Sequence, residues 1–233
     1  MTDPQAHQRK QRLAAALDAL DAAFTPLTSQ PFTVEGCTYC YPPAWLEALG
    51  RPAHLVPEEM ISSVASEVPS HWSDFVTVYR RMTPRIVRLL VTGRLHVDHG
   101  LIASRLLTAG WRDWTAAERD ALEEVWHAWW RSALSTYPGV EPVTGPLETI
   151  AVCTGTTAPW LDVWARTRTE AADRHLHDTL DDWLFEWQLA DLRLGFYNEL
   201  HATPELLPWL LSLEDGRIGA AQFEEVERII AYA

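Results

Sequence analysis

The sequence predicts an all-α protein: an irregular, right-handed helical-hairpin array, α-solenoid-like, with about ten helices. Three observations predict it. Apolar residues recur at helical spacing in several windows. Helix punctuation recurs too, with proline or a capping residue before a window and glycine after it. And no segment alternates like a strand: Val76-Thr77-Val78-Tyr79 has strand propensity but is short and flanked by helical periodicity.

Leu13, Leu17, Leu20 and Phe24 lie on one face of an amphipathic helix over about residues 5–24. Residues 25–41 carry Pro26, Pro31, Gly36 and a cysteine pair, and read as a structured loop. Pro42-Pro43 opens a short helix closed by Gly50. Pro57-Glu58-Glu59 starts another that ends before Pro69. Residues 71–82 read as helix, which Thr83-Pro84 restarts or kinks before it continues to Gly93. Asp98 caps a helix ending near Gly110. Thr115 and Glu118 form a capping box opening the clearest helix, about 116–135, with Leu122, Val125, Trp126, Trp129 and Ala133 as its apolar stripe. Residues 136–146 form a loop. Short helices follow near 147–153 and 158–166, then a long one over about 170–194 carrying Leu176, Leu180, Trp183, Leu184, Trp187 and Ala190. Thr203-Pro204-Glu205 starts a helix through Leu213, Asp215-Gly216 turns, and a last helix runs from Gly219 to Tyr232.

The 136–146 loop divides the chain into an N-terminal part, 1–135, with the cysteine pair, and an acidic C-terminal part, 146–233, unless the two are one continuous domain. A weak internal echo supports the array: Pro84 to Gly93-Arg94-Leu95 and Pro204 to Gly216-Arg217-Ile218 both read as helix, Gly-Arg-apolar turn, helix.

The net charge of −13 argues against a generic nucleic-acid binder, since phosphate contacts need cations. No run is long and apolar enough for a membrane span, and residues 13–24, interrupted by Asp18 and Asp21, make a poor signal core. Three cysteines suit a reducing compartment, so the expected location is the cytoplasm. The charge is uneven. Residues 170–233 hold 14 acids against 4 bases, while residues 80–105 hold 6 arginines against one acid. Arg81, Arg85 and Arg88 make a basic stripe if the helix runs through Pro84. That stripe either binds a phosphate or an acidic partner, or pairs with the chain's own acids, those of the C-terminal third included.

Twelve tryptophans mostly sit at helix-neighbour spacings, as core residues do. Trp111 and Trp114 flank a helix start and are the pair expected to be partly exposed to a partner. Cys37-Thr38-Tyr39-Cys40 is a C-x2-C. Its thiols are structural, or chelate zinc with two further ligands (His54 and His71 are the nearest histidines), or are redox-active. His96, Asp98 and His99 form one cluster of possible metal ligands and His175, His177 and Asp178 another. With His127, such groups suit Zn, Mn, Fe or Ni in a helical bundle, although His175 and His177 do not share a helix face. Asp178, Asp182 and Glu186 do share one, a Mg²⁺-holding pattern that a solvated acidic face also produces. No nucleophile elbow, Walker A, G-x-G-x-x-G or H-E-x-x-H motif occurs.

The order Cys37, Cys40, then Pro84-Arg85-Ile86-Val87, then Ala109-Gly110-Trp111 with Trp114 and Ala117-Glu118-Arg119 resembles uncharacterised bacterial all-helical proteins. Those have a C-x2-C start, a "PRIL"-like segment and an "AGW…W…AER" helix start. The resemblance spans about residues 33–135, departs where valine replaces the leucine of "PRIL", and implies a helical fold without implying an activity. The expected function is a protein–protein interaction or adaptor module of unknown partner and oligomeric state. The alternative is a metal-dependent helical-bundle enzyme using the two histidine clusters, and a Trp-lined small-ligand sensor is a minor third. Any cofactor is left unknown.

Overall fold

The computed structural model describes residues 4–214 and 216–232, and the side chains of these except residues 4–6, 186 and 187. Among the described residues it is all-α, with eleven α-helices, short 3₁₀ turns and one two-stranded ribbon. The helices are α1 (Pro4–Thr28), α2 (Pro43–Leu49), α3 (Glu58–Ser66), α4 (Phe75–Val91), α5 (His99–Thr108), α6 (Ala116–Ala133), α7 (Thr144–Thr154), α8 (Ala158–Arg166), α9 (Glu170–Leu184), α10 (Thr203–Ser212) and α11 (Ala220–Tyr232). None of them is long and apolar enough to cross a membrane.

Local chemistry sets most ends. Asp74 accepts from Thr77 N–H at 3.0 Å and Asp98 from Leu101 N–H at 2.8 Å, each capping its helix. Thr115 and Glu118 form the predicted reciprocal box, with Thr115 N–H 2.9 Å from the Glu118 carboxylate. Gly110 and Gly155 sit at φ of +66° and +80°, the left-handed geometry in which a chain leaves a helix. Pro84 does not end α4. The helix continues through it, because tertiary packing buries Met82, Ile86, Val87 and Leu90 on one face.

Packing is irregular in a definite way. The longest contacts are not all between sequence neighbours: α1 lies along α6 and also along α4, while α5 lies along α7. The stripe Leu17, Leu20 and Phe24 of α1 is thereby buried. Phe24 meets Trp114 edge-on at 5.6 Å. Buried apolar residues from Ala16 to Ile229 belong to one cluster, and α5–α7 and α6–α7 contacts join the two sides of the 136–146 loop.

The long C-terminal helix is shorter than its periodicity suggests. It stops at Leu184, and residues 185–191 continue as 3₁₀ turns. Residues 193–194 then pair antiparallel with 200–201, in register Arg193 with His201 and Leu194 with Leu200. Gly195 at φ +92° and Asn198 at φ 60° make the turn possible. The Thr203 hydroxyl donates to Leu189 O and accepts from Leu192 N–H, tying the ribbon to the start of α10. The turn at Asp215 and the side chains of Glu186 and Trp187, parts of the predicted patterns, lie outside the described residues.

Candidate dithiol site

Most side chains singled out in the sequence turn inward. Arg81 is buried and its guanidinium donates to the carbonyl oxygens of Gln30 and Arg51, lying 4.7 Å over the Phe32 ring. Arg85 donates to Ala53 O at 2.7 Å and Val56 O at 3.1 Å. Arg88 donates to Asp18 at 2.9 Å and Asp21 at 2.6 Å on α1. The donors of the stripe are therefore engaged by the chain's own carbonyls and carboxylates. The stripe does not dock against the acidic C-terminal third: it clamps the loop before α2, the turn before α3, and α1. Planar, five-donor guanidinium groups satisfy carbonyls that helix ends and loops leave over.

Trp111 and Trp114 are buried, with 3% and 4% of their surface accessible, which corrects the expectation that they are exposed. Trp114 donates from Nε1 to Ala109 O at 3.0 Å. The Trp114 ring fills the gap between elements and uses its one polar atom on that carbonyl, whereas the buried Trp111 Nε1 has no hydrogen-bond partner.

The two histidine clusters do not converge. His96 and Asp98 are exposed, and Asp98 is spent on its cap. His99 is held between the Thr149 hydroxyl at 2.9 Å and Glu141 at 2.8 Å. His175 is buried with Nε2 2.9 Å from Thr136 O, His177 faces Gln222 at 3.1 Å, and Asp178 accepts from the Tyr137 hydroxyl at 2.7 Å. Among the described residues no group of three or more His, Cys, Asp or Glu side chains is placed to hold a metal ion.

The cysteine pair keeps its chemistry at the surface. Cys37 is half-buried and Cys40 exposed, both as free thiols, whereas Cys153 is fully buried. The loop bearing them is pinned to the segment before α4. Cys37 N–H donates to His71 O at 2.8 Å, Ser73 N–H donates to Glu35 O at 3.0 Å, and Gly36 bridges Trp72. Gly36 is needed there, because a Cβ would stand 2.8 Å from His71 O and 3.2 Å from the Trp72 ring. Tyr41 N–H donates back to Cys37 O at 2.9 Å, closing one helical turn over the pair. Beneath it Tyr41 stacks on Trp45 at 4.3 Å and on Trp72 at 5.0 Å.

Polar contacts complete the platform. The Tyr41 hydroxyl donates to Glu67, which also accepts from Val68 N–H at 2.8 Å and meets His71 Nδ1 at 3.0 Å. Burial works against the Glu67 charge, but these hydrogen bonds hold its carboxyl below the usual range. The same burial, with the Glu67 bond, pushes the Tyr41 phenol up. No family model, curated protein or solved structure matches the chain.

The two thiols differ. Cys37 is pulled below the ordinary thiol value, first by the backbone N–H of Cys40, then by the Cys40 thiol and the Tyr39 N–H, against slight burial and the Glu67 charge. Cys40 is pushed up, chiefly because its own S–H is given to Cys37. One face of the turn borders a cleft of about 520 Å³ lined by Phe32, Val34, Thr38, Pro43, Leu46 and Pro52. Glu67 and the backbone of His71 carry no local signal in the sequence. Only the fold brings them to the C-x2-C, across separations of up to 34 residues.

Proposed function

We propose that the chain is a protein-binding module whose contact surface is the Cys37–Cys40 turn together with the cleft beside it, taking an extended apolar stretch of a partner protein. The observation that carries this reading is Tyr39. Its side chain is 96% exposed, yet it stands on a turn fastened by backbone bonds to the segment before α4. An aromatic side chain on a pre-ordered turn loses little freedom when a partner covers it, which is the character of interface anchors. The adjoining cleft lies in the size range of binding pockets. Leu55, three residues after Pro52 of the lining, is 56% exposed.

The test is site-specific photo-crosslinking in the native host, with the probe placed at position 39, at position 55, or at the remote position 140, where Val140 is 88% exposed. The expected result is one common protein captured from 39 and 55 and not from 140. Capture indistinguishable between 39 and 140 refutes the reading.

A further inference from the structure

We propose that Cys37 and Cys40 form a thiol–disulfide exchange site, with Cys37 the attacking sulfur and Cys40 the resolving one, working on low-molecular-weight disulfides. Four observations carry it. The sulfurs share one hydrogen-bonded turn, closed by Tyr41 N–H on Cys37 O at 2.9 Å. Cβ atoms three residues apart on such a turn are about 5–6 Å apart, only about 1–2 Å more than a disulfide spans. Neither thiol is in the core, so a small disulfide can reach them. Finally, Gly36 and the backbone bonds to His71 and Ser73 fix the turn, which spares ring closure most of its entropy.

The attacking sulfur is the one the turn's own N–H groups and the Cys40 thiol stabilise as a thiolate. The negative charge of the Glu67 carboxylate opposes and limits that stabilisation. Two exchanges follow. The Cys37 thiolate attacks one sulfur of RS–SR, forming the mixed disulfide and releasing RS⁻. Cys40 then loses its proton to RS⁻ and attacks the Cys37 sulfur. The mixed S–S bond breaks, the second RS⁻ leaves and takes up the proton that Cys37 had given to solvent, and Cys37–Cys40 closes. The balance is one dithiol plus RSSR to one protein disulfide plus two RSH: the protein is oxidised by two electrons and the small disulfide reduced by two. Cys153, fully buried with its thiol pushed up by that burial, stays out of the exchange.

The experiment uses the full chain and oxidised glutathione. Across a series of reduced-to-oxidised glutathione ratios, intact mass should show loss of two hydrogens, reversed by dithiothreitol, with only Cys153 free to alkylate after unfolding. Cys40→Ser, whose hydroxyl still donates to Cys37, should instead trap a mixed disulfide on Cys37. It should do so faster than Cys37→Ser traps one on Cys40, because thiolate fraction outweighs the loss of nucleophilicity at lower pKa. Circular dichroism confirms that both variants fold, and the wild-type titration needs neither. Equal trapping rates, stable double glutathionylation of the wild type, or stoichiometric zinc that shields both thiols overturns the proposal. Crosslinking at Tyr39 reads a partner and thiol counting reads sulfur chemistry, so failure of one leaves the other standing.

Discussion

Glu118 ties three helices together. Its carboxylate accepts from Thr115 N–H at 2.9 Å and the Thr115 hydroxyl at 2.8 Å, completing the box that starts α6. It also takes Arg80 of α4, Nε at 3.2 Å and a terminal nitrogen at 2.5 Å, with the Glu118 side chain 4% and the Arg80 side chain 27% exposed. So held, the guanidinium lies 5.8 Å over Trp114, whose other neighbour is Phe24 of α1. Glu118→Gln is nearly isosteric but turns one acceptor into an amide donor facing Arg80 or Thr115. Loss of the cap bond costs about 1 kcal/mol. Leaving one partner of a fully buried pair costs about 3–5 kcal/mol; Arg80 still reaches water, which cuts that part to about 1–2 kcal/mol. The total of about 2–3 kcal/mol corresponds to a fall of about 4–12 °C in Tm for a chain of this length. Thermal unfolding followed by far-UV circular dichroism measures it. A fall below about 1 °C would mean that the carboxylate is not buried against Arg80. In a cycle with Arg80→Met, additive losses would equally refute the coupling.

Three further outcomes follow from the same geometry. Arg217, with a 2% exposed side chain, donates to Trp164 O, Ala165 O and Thr167 O and to Asp173, so Arg217→Lys, which lacks the fork, should cost about 2–4 kcal/mol by denaturant titration. Gly36→Ala should strain the loop by about 1–3 kcal/mol and speed alkylation of Cys37 in the folded protein, read by mass spectrometry. Burial raises the Glu148 carboxyl above its ordinary value, against the Gly195 N–H that donates to it at 2.8 Å. Its contribution to stability is therefore full at acid pH and is lost as pH rises through the raised value. Glu148→Gln keeps an acceptor for Gly195 and should raise Tm relative to wild type more at pH 8 than at pH 4; an equal change at both would refute the assignment.

The fold class was legible because helix signals are local. Periodicity on α1 and α6, the Thr115 box, the Asp98 cap and the Pro43 and Gly50 bounds all act within a turn or two of chain. Where local and tertiary forces compete, the sequence misleads. Pro84 reads as a restart or a kink, yet burial on both sides of it keeps α4 one helix from Phe75 to Val91. The stretch after Leu184 keeps a helical pattern and still becomes 3₁₀ turns and a ribbon, because Thr203 captures Leu189 and Leu192. The two Gly-Arg turns look alike, and both glycines adopt positive φ. But Arg94 is exposed on Glu58, while Arg217 is buried among carbonyls.

The candidate site divides along the same line. An all-α chain, its helix starts, its apolar stripes and two thiols one turn apart can be read from residue order alone, since these depend on neighbours within a few residues. Which polar groups remain for chemistry depends on long-range packing. Arg81, Arg88, His99 and His175, which looked available, are held by carbonyls and carboxylates 30 to 70 residues away. The cysteine turn, by contrast, is lifted clear of the core on the Tyr41–Trp45–Trp72 stack. The cause is the cost of burying an unpaired polar group: most buried donors and acceptors take a partner, although the indole N–H groups of Trp72, Trp111, Trp126 and Trp209 have none. Which partner a group takes depends on how distant segments pack, and local sequence does not carry that.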